Sequence, residues 1–361
     1  MTKKTRLIIV LSCAGLFLII TPIIIFYSLG YRFDFETKKI VATGGIYIKA
    51  SPLGTDVIVD SSADKKTGIF STYVFVQNLL PKKHSVLIKK DGYFDYVKTL
   101  DVKENEVTKL ENVTLFKKDI AFEALAAGAK SPFTELAAPK DVTLKNNNLY
   151  AKQTVAPMVK NVVAFAENGG LTWLAQDGFL YQSNLNGENV EKLSEVAITV
   201  GKKNTYEIFI FGKNIFLKEN SDLLLLNEAT KSFALFTSQI KDVKASPDGQ
   251  KLMYWGDHTI SIYYFENSKE SYAHQDSVLL NTFSEKITDA YWVNDDYIIF
   301  NLEKSIVISE IDARANVNII TLLLPDSLKI TPTTKILFNQ SDKKLYILNG
   351  KETLVSEKLI P

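Results

Sequence analysis

Residues 242–254 read DVKASPDGQKLMY: a short run, the turn Ser246-Pro247-Asp248-Gly249, and a second run entering Leu252. Pro247 presets φ, Asp248 can bond its own backbone and Gly249 tolerates positive φ, so the stretch reads as two strands joined by a tight turn. A plan of apolar strand, polar turn, apolar strand and turn recurs in Leu171–Gly187, Lys213–Thr230, Lys251–Asn267, Asp296–Ala313 and Thr334–Lys351. A spacing of about 40 residues between short strands is the signature of a β-propeller. Radial closure leaves few free edges, and each blade buries both faces against its neighbours. Leu223–Leu226, apolar at every position, fits a strand covered on both sides. An extra strand pair near Val142–Gln153 adds an incomplete blade. The expectation for 141–361 is a propeller of five to seven blades, six favoured; a pair of all-β sandwiches is the alternative.

The Ser246–Gly249 turn resembles that of TolB-like and WD-repeat-like propellers, where it joins a blade's inner strand to the next. Trp292-Val293-Asn294-Asp295-Asp296 stands in the same place one repeat on, with Pro and Gly lost.

Upstream, 117–140 (KKDIAFEALAAGAKSPFTELAAPK) turns Ala-rich and Pro-punctuated and reads as a linker. Before it, Ile46–Ala50, Val57–Asp60, Tyr73–Leu79, Ser85–Lys90, Tyr96–Val102 and Thr108–Phe116 read as strands. Turn signals at Ser51–Gly54, Ser61-Ser62, Pro81–Lys83 and Asp91-Gly92 separate them, which describes a small sandwich over 44–116. The segment resembles the PEGA family. Pro52-Leu53-Gly54-Thr55 stands for the name-giving tetrapeptide, with Leu53 where the family has an acid. The strand Val57-Ile58-Val59-Asp60, then Leu79-Leu80-Pro81, Ser85–Lys90 and Lys90-Asp91-Gly92-Tyr93 follow in order. The resemblance implies a fold similar to transthyretin-like domains and a part in surface attachment, and it brings no catalytic residue.

Leu7–Leu29, LIIVLSCAGLFLIITPIIIFYSL, has no charge and as a helix reaches ~34 Å at ~1.5 Å per residue, enough for a bilayer core. Lys3, Lys4 and Arg6 precede it, so the positive-inside rule leaves 1–6 as a cytoplasmic stub and sends everything beyond residue 29 outside. Residues 30–43 read as a juxtamembrane connector, with Tyr27 and Tyr31 at the level of an interfacial aromatic belt. A cleaved signal peptide, with Ser28 and Gly30 at a small-residue cut, is the rival, although its apolar core would be shorter than this run.

Charged residues make up 23 % and the formal net charge is +1, so nothing points to nucleic acid. The single cysteine, Cys13, lies in the apolar segment, and the remaining chain can form no disulfide. Neither His84, His258 nor His274 stands in a metal-ligand spacing with another His or with Cys. Hydrolase, P-loop, zincin and dinucleotide motifs are missing. Asp248, Asp257, Asp276, Asp289, Asp295 and Asp296 fall mostly in turns, and Asn184, Asn186, Glu188 and Asn189 read as a turn and not a calcium loop. No catalytic, cofactor-binding or metal residue is nominated. Tyr254-Trp255 and Ile262–Phe265 read mainly as core between blades.

These readings converge on a non-catalytic, membrane-anchored surface or envelope protein of a bacterium whose propeller binds a protein or a surface polymer. An envelope assembly or sensing factor is the alternative, and a propeller enzyme is less favoured. Asn267–Glu285, polar and containing Tyr272 and His274, is the expected binding loop if the propeller carries the specificity, and otherwise a tolerated insertion. Protease added to intact cells or spheroplasts should degrade the C-terminal part; full protection would reverse the orientation.

Overall fold

A computed structural model describes residues 3–60, 63–67, 72–126, 132–135, 141–152, 154–265, 277–325, 328–350 and 352–360. The chain divides into two compact units, Met1–Ile120 with Asp312–Leu323 and Lys358–Pro361, and Ala121–Ile311 with Leu324–Glu357.

The first unit opens with α1 (Lys3–Ser28), a helix with no buried residue and with Pro22 inside it. Among the described residues it is the one helix long and apolar enough to cross a membrane. The expected plain connector is a hairpin, β1 (Tyr31–Asp34) with β2 (Lys39–Ala42). Two sheets follow. β3 (Gly44–Ser51), β6 (Tyr73–Leu79) and β9 (Val107–Thr114) form one, in the order β6-β3-β9. The other is β4 (Asp56–Val59), β5 (Ala63–Lys66), β7 (Lys83–Lys89) and β8 (Tyr96–Asp101), in the order β5-β4-β7-β8. Alternation decides which side chains meet: His84, Val86 and Ile88 of β7 turn inward while their neighbours are less buried. They join Ile46, Ile48, Val57, Val59, Val74, Val76, Leu100 and Leu110 in a largely β-branched core, the side chains that pack best on a pleated surface. Gly92 holds φ +79° in the expected turn, and the Tyr93 ring after it packs on this core.

Among the described residues of this unit the most buried charge is Lys98 on the edge strand β8, with its side chain wholly covered. Its ammonium donates to the carbonyls of Asp312 (2.5 Å) and Asn316 (2.9 Å) and lies 3.6 Å from the Asp312 carboxylate. Arg314 donates to that carboxylate and to Lys109 O. The amide of Asn316 donates to Val97 O, and Val97 N–H donates to Asn318 Oδ1. Residues 312–318 thus satisfy backbone groups that an edge strand would otherwise offer to another chain.

Among the described residues the second unit contains six sheets. Strand β10 (Phe122–Ala124) lies inside the expected linker, as does the helical turn α2 (Pro132–Glu135). The first blade is β11 (Val142–Lys145), β12 (Asn148–Ala151) and β13 (Val159–Lys160). The second is β14 (Val162–Glu167), β15 (Leu171–Ala175), β16 (Leu180–Ser183) and β17 (Glu191–Lys192). The third is β18 (Tyr206–Phe211), β19 (Asn214–Glu219), β20 (Asp222–Asn227) and β21 (Ser232–Thr237). The fourth is β22 (Asp242–Ala245), β23 (Lys251–Trp255), β24 (Thr259–Tyr264) and β25 (Ser277–Thr282). The fifth has β26 (Ile287–Trp292), β27 (Tyr297–Leu302) and β28 (Ile306–Glu310) in this unit; β29 (Ile319–Thr321) follows in the segment belonging to the first unit. The sixth is β30 (Lys335–Asn339), β31 (Lys344–Asn349), β32 (Glu352–Lys358) and, as its fourth strand, β10.

The architecture is a propeller. First strands of successive blades approach one another, β11 to β14, β14 to β18, β22 to β26 and β26 to β30. Apolar seams fill the gaps: Val142 and Leu149 against Leu171 and Trp173, Leu174 and Leu180 against Ile208 and Leu217, Phe216 and Leu223 against Val243 and Leu252. Between the fourth and fifth blades Trp292 Nε1 donates to Lys244 O (2.9 Å), and between the fifth and sixth Asn301 Nδ2 donates to Thr334 O (2.8 Å).

Two expectations need correction. The division is not contiguous, because Asp312–Leu323 and Lys358–Pro361 fall outside the second unit and β10 lies in it. The repeat Thr334–Lys351 is out of phase: it covers the first and second strands of its blade, whereas the other four cover the second and third.

Burial works to raise the Asp312 carboxyl, but Arg314 and Lys98 outweigh it and hold it below the usual range. A carboxyl depressed by folding contributes stability above its unfolded pKa of ~3.9, and this is lost as pH falls through the lower folded value. Asp312→Asn should therefore lower the melting temperature of the whole chain in detergent at pH 7. The gap to the parent should narrow below about pH 4; a gap independent of pH would remove the charge from this role.

Candidate functional site

Strand alternation puts Phe209 and Phe211 on one face of β18, and Tyr263 and Phe265 on one side at the end of β24. In the seam between the third and fourth blades these rings meet Phe216, Phe236 and Tyr254. Phe236 stands edge-on to Phe216 at 5.4 Å, to Tyr254 at 5.7 Å and to Tyr263 at 5.0 Å. Tyr263 is edge-on to Phe265 at 5.5 Å, and Phe265 lies 6.3 Å from Phe211. Such separations and angles suit the ring quadrupoles. The neighbour of Tyr254, Trp255, faces the other way, with the Lys244 ammonium 5.3 Å from its ring.

The seam opens at both ends. One hollow, about 470 Å³, has Phe211, Leu225, Tyr263 and Phe265 on its walls and Asn214 and Gln250 among its polar groups. It lies among the β18–β19, β20–β21 and β22–β23 turns, the last being Ser246–Gly249. In that turn Gly249 N–H donates to Ser246 O at φ +68°, and Asp248 Oδ2 lies 3.1 Å from the Lys251 ammonium. Burial works to raise the Asp248 carboxyl, but hydrogen bonds from Ser246 and Gln250 with the Lys251 charge hold it low. Asp248 N–H also donates to Asp295 Oδ1 of the next blade's turn. The opposite hollow, about 550 Å³, has Ser221, Ser238, Gln239, Ile240, Lys241, Asp257 and His258 on its walls. There a hydrogen bond from Lys241 at 2.8 Å, the Lys241 charge and Lys286 hold the Asp257 carboxyl down.

Of the expected binding loop, 266–276 with Tyr272, His274 and Asp276 lies outside the described residues. Ser277–Thr282 is the strand β25 and not loop. His258 sits in the Gly256–Thr259 turn, with Nδ1 3.3 Å from Glu285 O. His84 is buried in the sandwich between Asp60 Oδ2 (2.5 Å) and Leu80 O (2.7 Å). Asn184 Oδ1 accepts from the N–H groups of Asn186 and Glu188, which closes that segment as a turn. Among the described residues no group of three or more His, Cys, Asp or Glu could hold a metal ion.

Sequence reasoning missed Lys244, two residues before the diagnostic turn. Its ammonium is 3.1 Å from Asp289, donates to Ala290 O at 2.7 Å and lies 3.3 Å from the Tyr291 ring centroid. Burial pushes Lys244 down, against the pull of Asp289; burial first and Asp289 second push the Tyr291 hydroxyl strongly up. Lys241, Lys244 and Lys251 flank the turn alike in sequence, and the Asp289 partner of Lys244 stands 45 residues away.

Residues 43–118 match the PEGA domain. No curated protein matches the chain. Among solved structures, YCF48 from Cyanidioschyzon merolae is 11 % identical with a TM-score of 0.39, over 85 % of this chain and 96 % of that one. A chain in the Mitotic Checkpoint Complex is 10 % identical with a TM-score of 0.37, over 77 % of this chain and 85 % of that one.

Phe236→Ala removes the ring at the centre of the seam and should cost about 3 kcal/mol. Val155→Ala, at a position 95 % exposed, should leave the melting temperature within error. Equal melting temperatures for both variants would deny the seam its structural role.

Proposed function

We propose that the chain is a non-catalytic, single-pass envelope protein of a bacterium, N-terminus in the cytoplasm, whose propeller binds a protein or a surface polymer. The anchor is supported by the apolar helix α1 and by Lys3, Lys4 and Arg6 before Leu7. The PEGA match supports a spacer or attachment module next to the anchor.

The observation that supports binding most is the hollow at one end of the aromatic seam. Its apolar walls, Phe211, Leu225 and Phe265, adjoin the amides of Asn214 and Gln250, the mixture a concave recognition site needs. Three turns frame it, so side chains far apart in sequence converge on rigid strands.

Ala229 is exposed at the rim of this hollow, and Gln239 is exposed at the opposite one. The full chain in nanodiscs would be offered envelope proteins and purified surface polysaccharides. Ala229→Arg should abolish capture at an unchanged melting temperature, and Gln239→Arg should leave it intact. The reverse result would move binding to the opposite end. Capture unaffected by both would remove it from this seam.

A further inference from the structure

The hairpin after α1 presents an apolar face to its surroundings. Phe33 pairs directly with Ile40 across the two strands, and Tyr31 shares their side of the ribbon. Phe35, at the turn, sets its ring edge-on to Phe33 at 5.0 Å. These side chains are 48 % (Phe33), 64 % (Ile40), 37 % (Tyr31) and 83 % (Phe35) exposed. Meanwhile Asp34, on the other side, is buried and closes the turn by accepting from Glu36 N–H and Thr37 Oγ1. The ribbon thus exposes its large apolar side chains near the tip, while Asp34 and Ala42 are buried and Val41 is half-buried.

This face cannot wander from the helix. Only Leu29 and Gly30 separate Ser28 from Tyr31. The Tyr31 ring is edge-on to Phe26 at 5.5 Å. The Arg32 guanidinium lies 3.5 Å from the Tyr27 ring centroid and donates to Tyr27 O at 2.7 Å. Thr43 closes the base, donating through N–H and Oγ1 to Gly30 O. At the tip Glu36 is ion-paired with Lys82 of the sandwich at 2.8 Å. Lys38 and Lys39 are exposed beside the apolar face.

We propose that Tyr31, Phe33, Phe35 and Ile40 insert into the headgroup–acyl boundary of the bilayer that α1 crosses, a second membrane contact that sets the orientation of the sandwich. This rests on the membrane-spanning reading of α1 above. The occupant follows from continuity: a helix ending at Ser28 ends at the headgroup level, and the hairpin is fixed to its last turn. Aromatic side chains flanked by lysines are the composition that boundary favours, the rings taking the mixed polarity and the ammonium groups the anionic headgroups.

The test uses the full chain with Cys13→Ser, spin-labelled through Phe35→Cys or Ile40→Cys, in phosphatidylcholine–phosphatidylglycerol vesicles. Leu18→Cys reports the helix and Val155→Cys reports water. Power saturation compares collision with oxygen, enriched in lipid, and with a water-soluble nickel chelate. Labels at 35 and 40 should collide several-fold more with oxygen than with nickel, as at 18 and opposite to 155. Nickel access at 35 and 40 equal to that at 155, with 18 in lipid, overturns the proposal alone. Protection from both reagents puts a second protein on the face and overturns it too. Nickel access at 18 would sink the spanning reading, and the proposal with it.

Discussion

A β-sheet protein without cross-links has to dispose of its edges, and here that rests on three residue pairs. Phe122, Glu123 and Ala124 pair with Ser356, Val355 and Leu354. Leu125 N–H to Thr353 O and Glu357 N–H to Ala121 O extend the ladder at both ends. The sixth blade thus takes its fourth strand from the start of the propeller, and chain ends more than two hundred residues apart are fastened by backbone hydrogen bonds. The lone cysteine, in α1, can contribute nothing. Closure also lets β27 and β28 be buried at every position, because each blade has a neighbour on both sides.

What the sequence disclosed follows from how far its signals reach. Alternating runs broken by Gly, Pro and Asn are local, so the sandwich strands and the strand pairs of the blades could be read directly. The phase of the repeat could not, because first and second strands of a blade look alike when both are apolar; this is how Thr334–Lys351 came to be aligned one strand early. Strand β10 reads Phe-Glu-Ala, too short to show alternation, and its partner is remote. Strand β5, Ala-Asp-Lys-Lys, has no apolar alternation, and its edge position requires none. The hairpin was hidden for the opposite reason: its aromatic residues face out, against the rule by which strands are recognised.

The candidate site was half legible. Tyr254, Tyr263 and Phe265 were recognisable as seam aromatics from their spacing. The hollow was not, because it depends on which turns of adjacent blades fall at the same end. Lys244 shows the same limit, since its carboxylate and ring partners belong to the neighbouring blade.

The composition of the first unit has a consequence for how the protein is made. Lys98 leaves the ribosome long before its acceptors at Asp312 and Asn316, which lie 214 and 218 residues downstream. At ~5–20 residues per second the delay is roughly ten to forty seconds. Through that interval β8 is an open template on which another nascent chain could add a strand. A charged ammonium in the middle of β8 discourages such an addition, since a pairing strand would have to strip its water without replacing it. The same lysine that locks the finished domain thus guards the unfinished one, and its guard is lifted only by the protein's own late-arriving carbonyls.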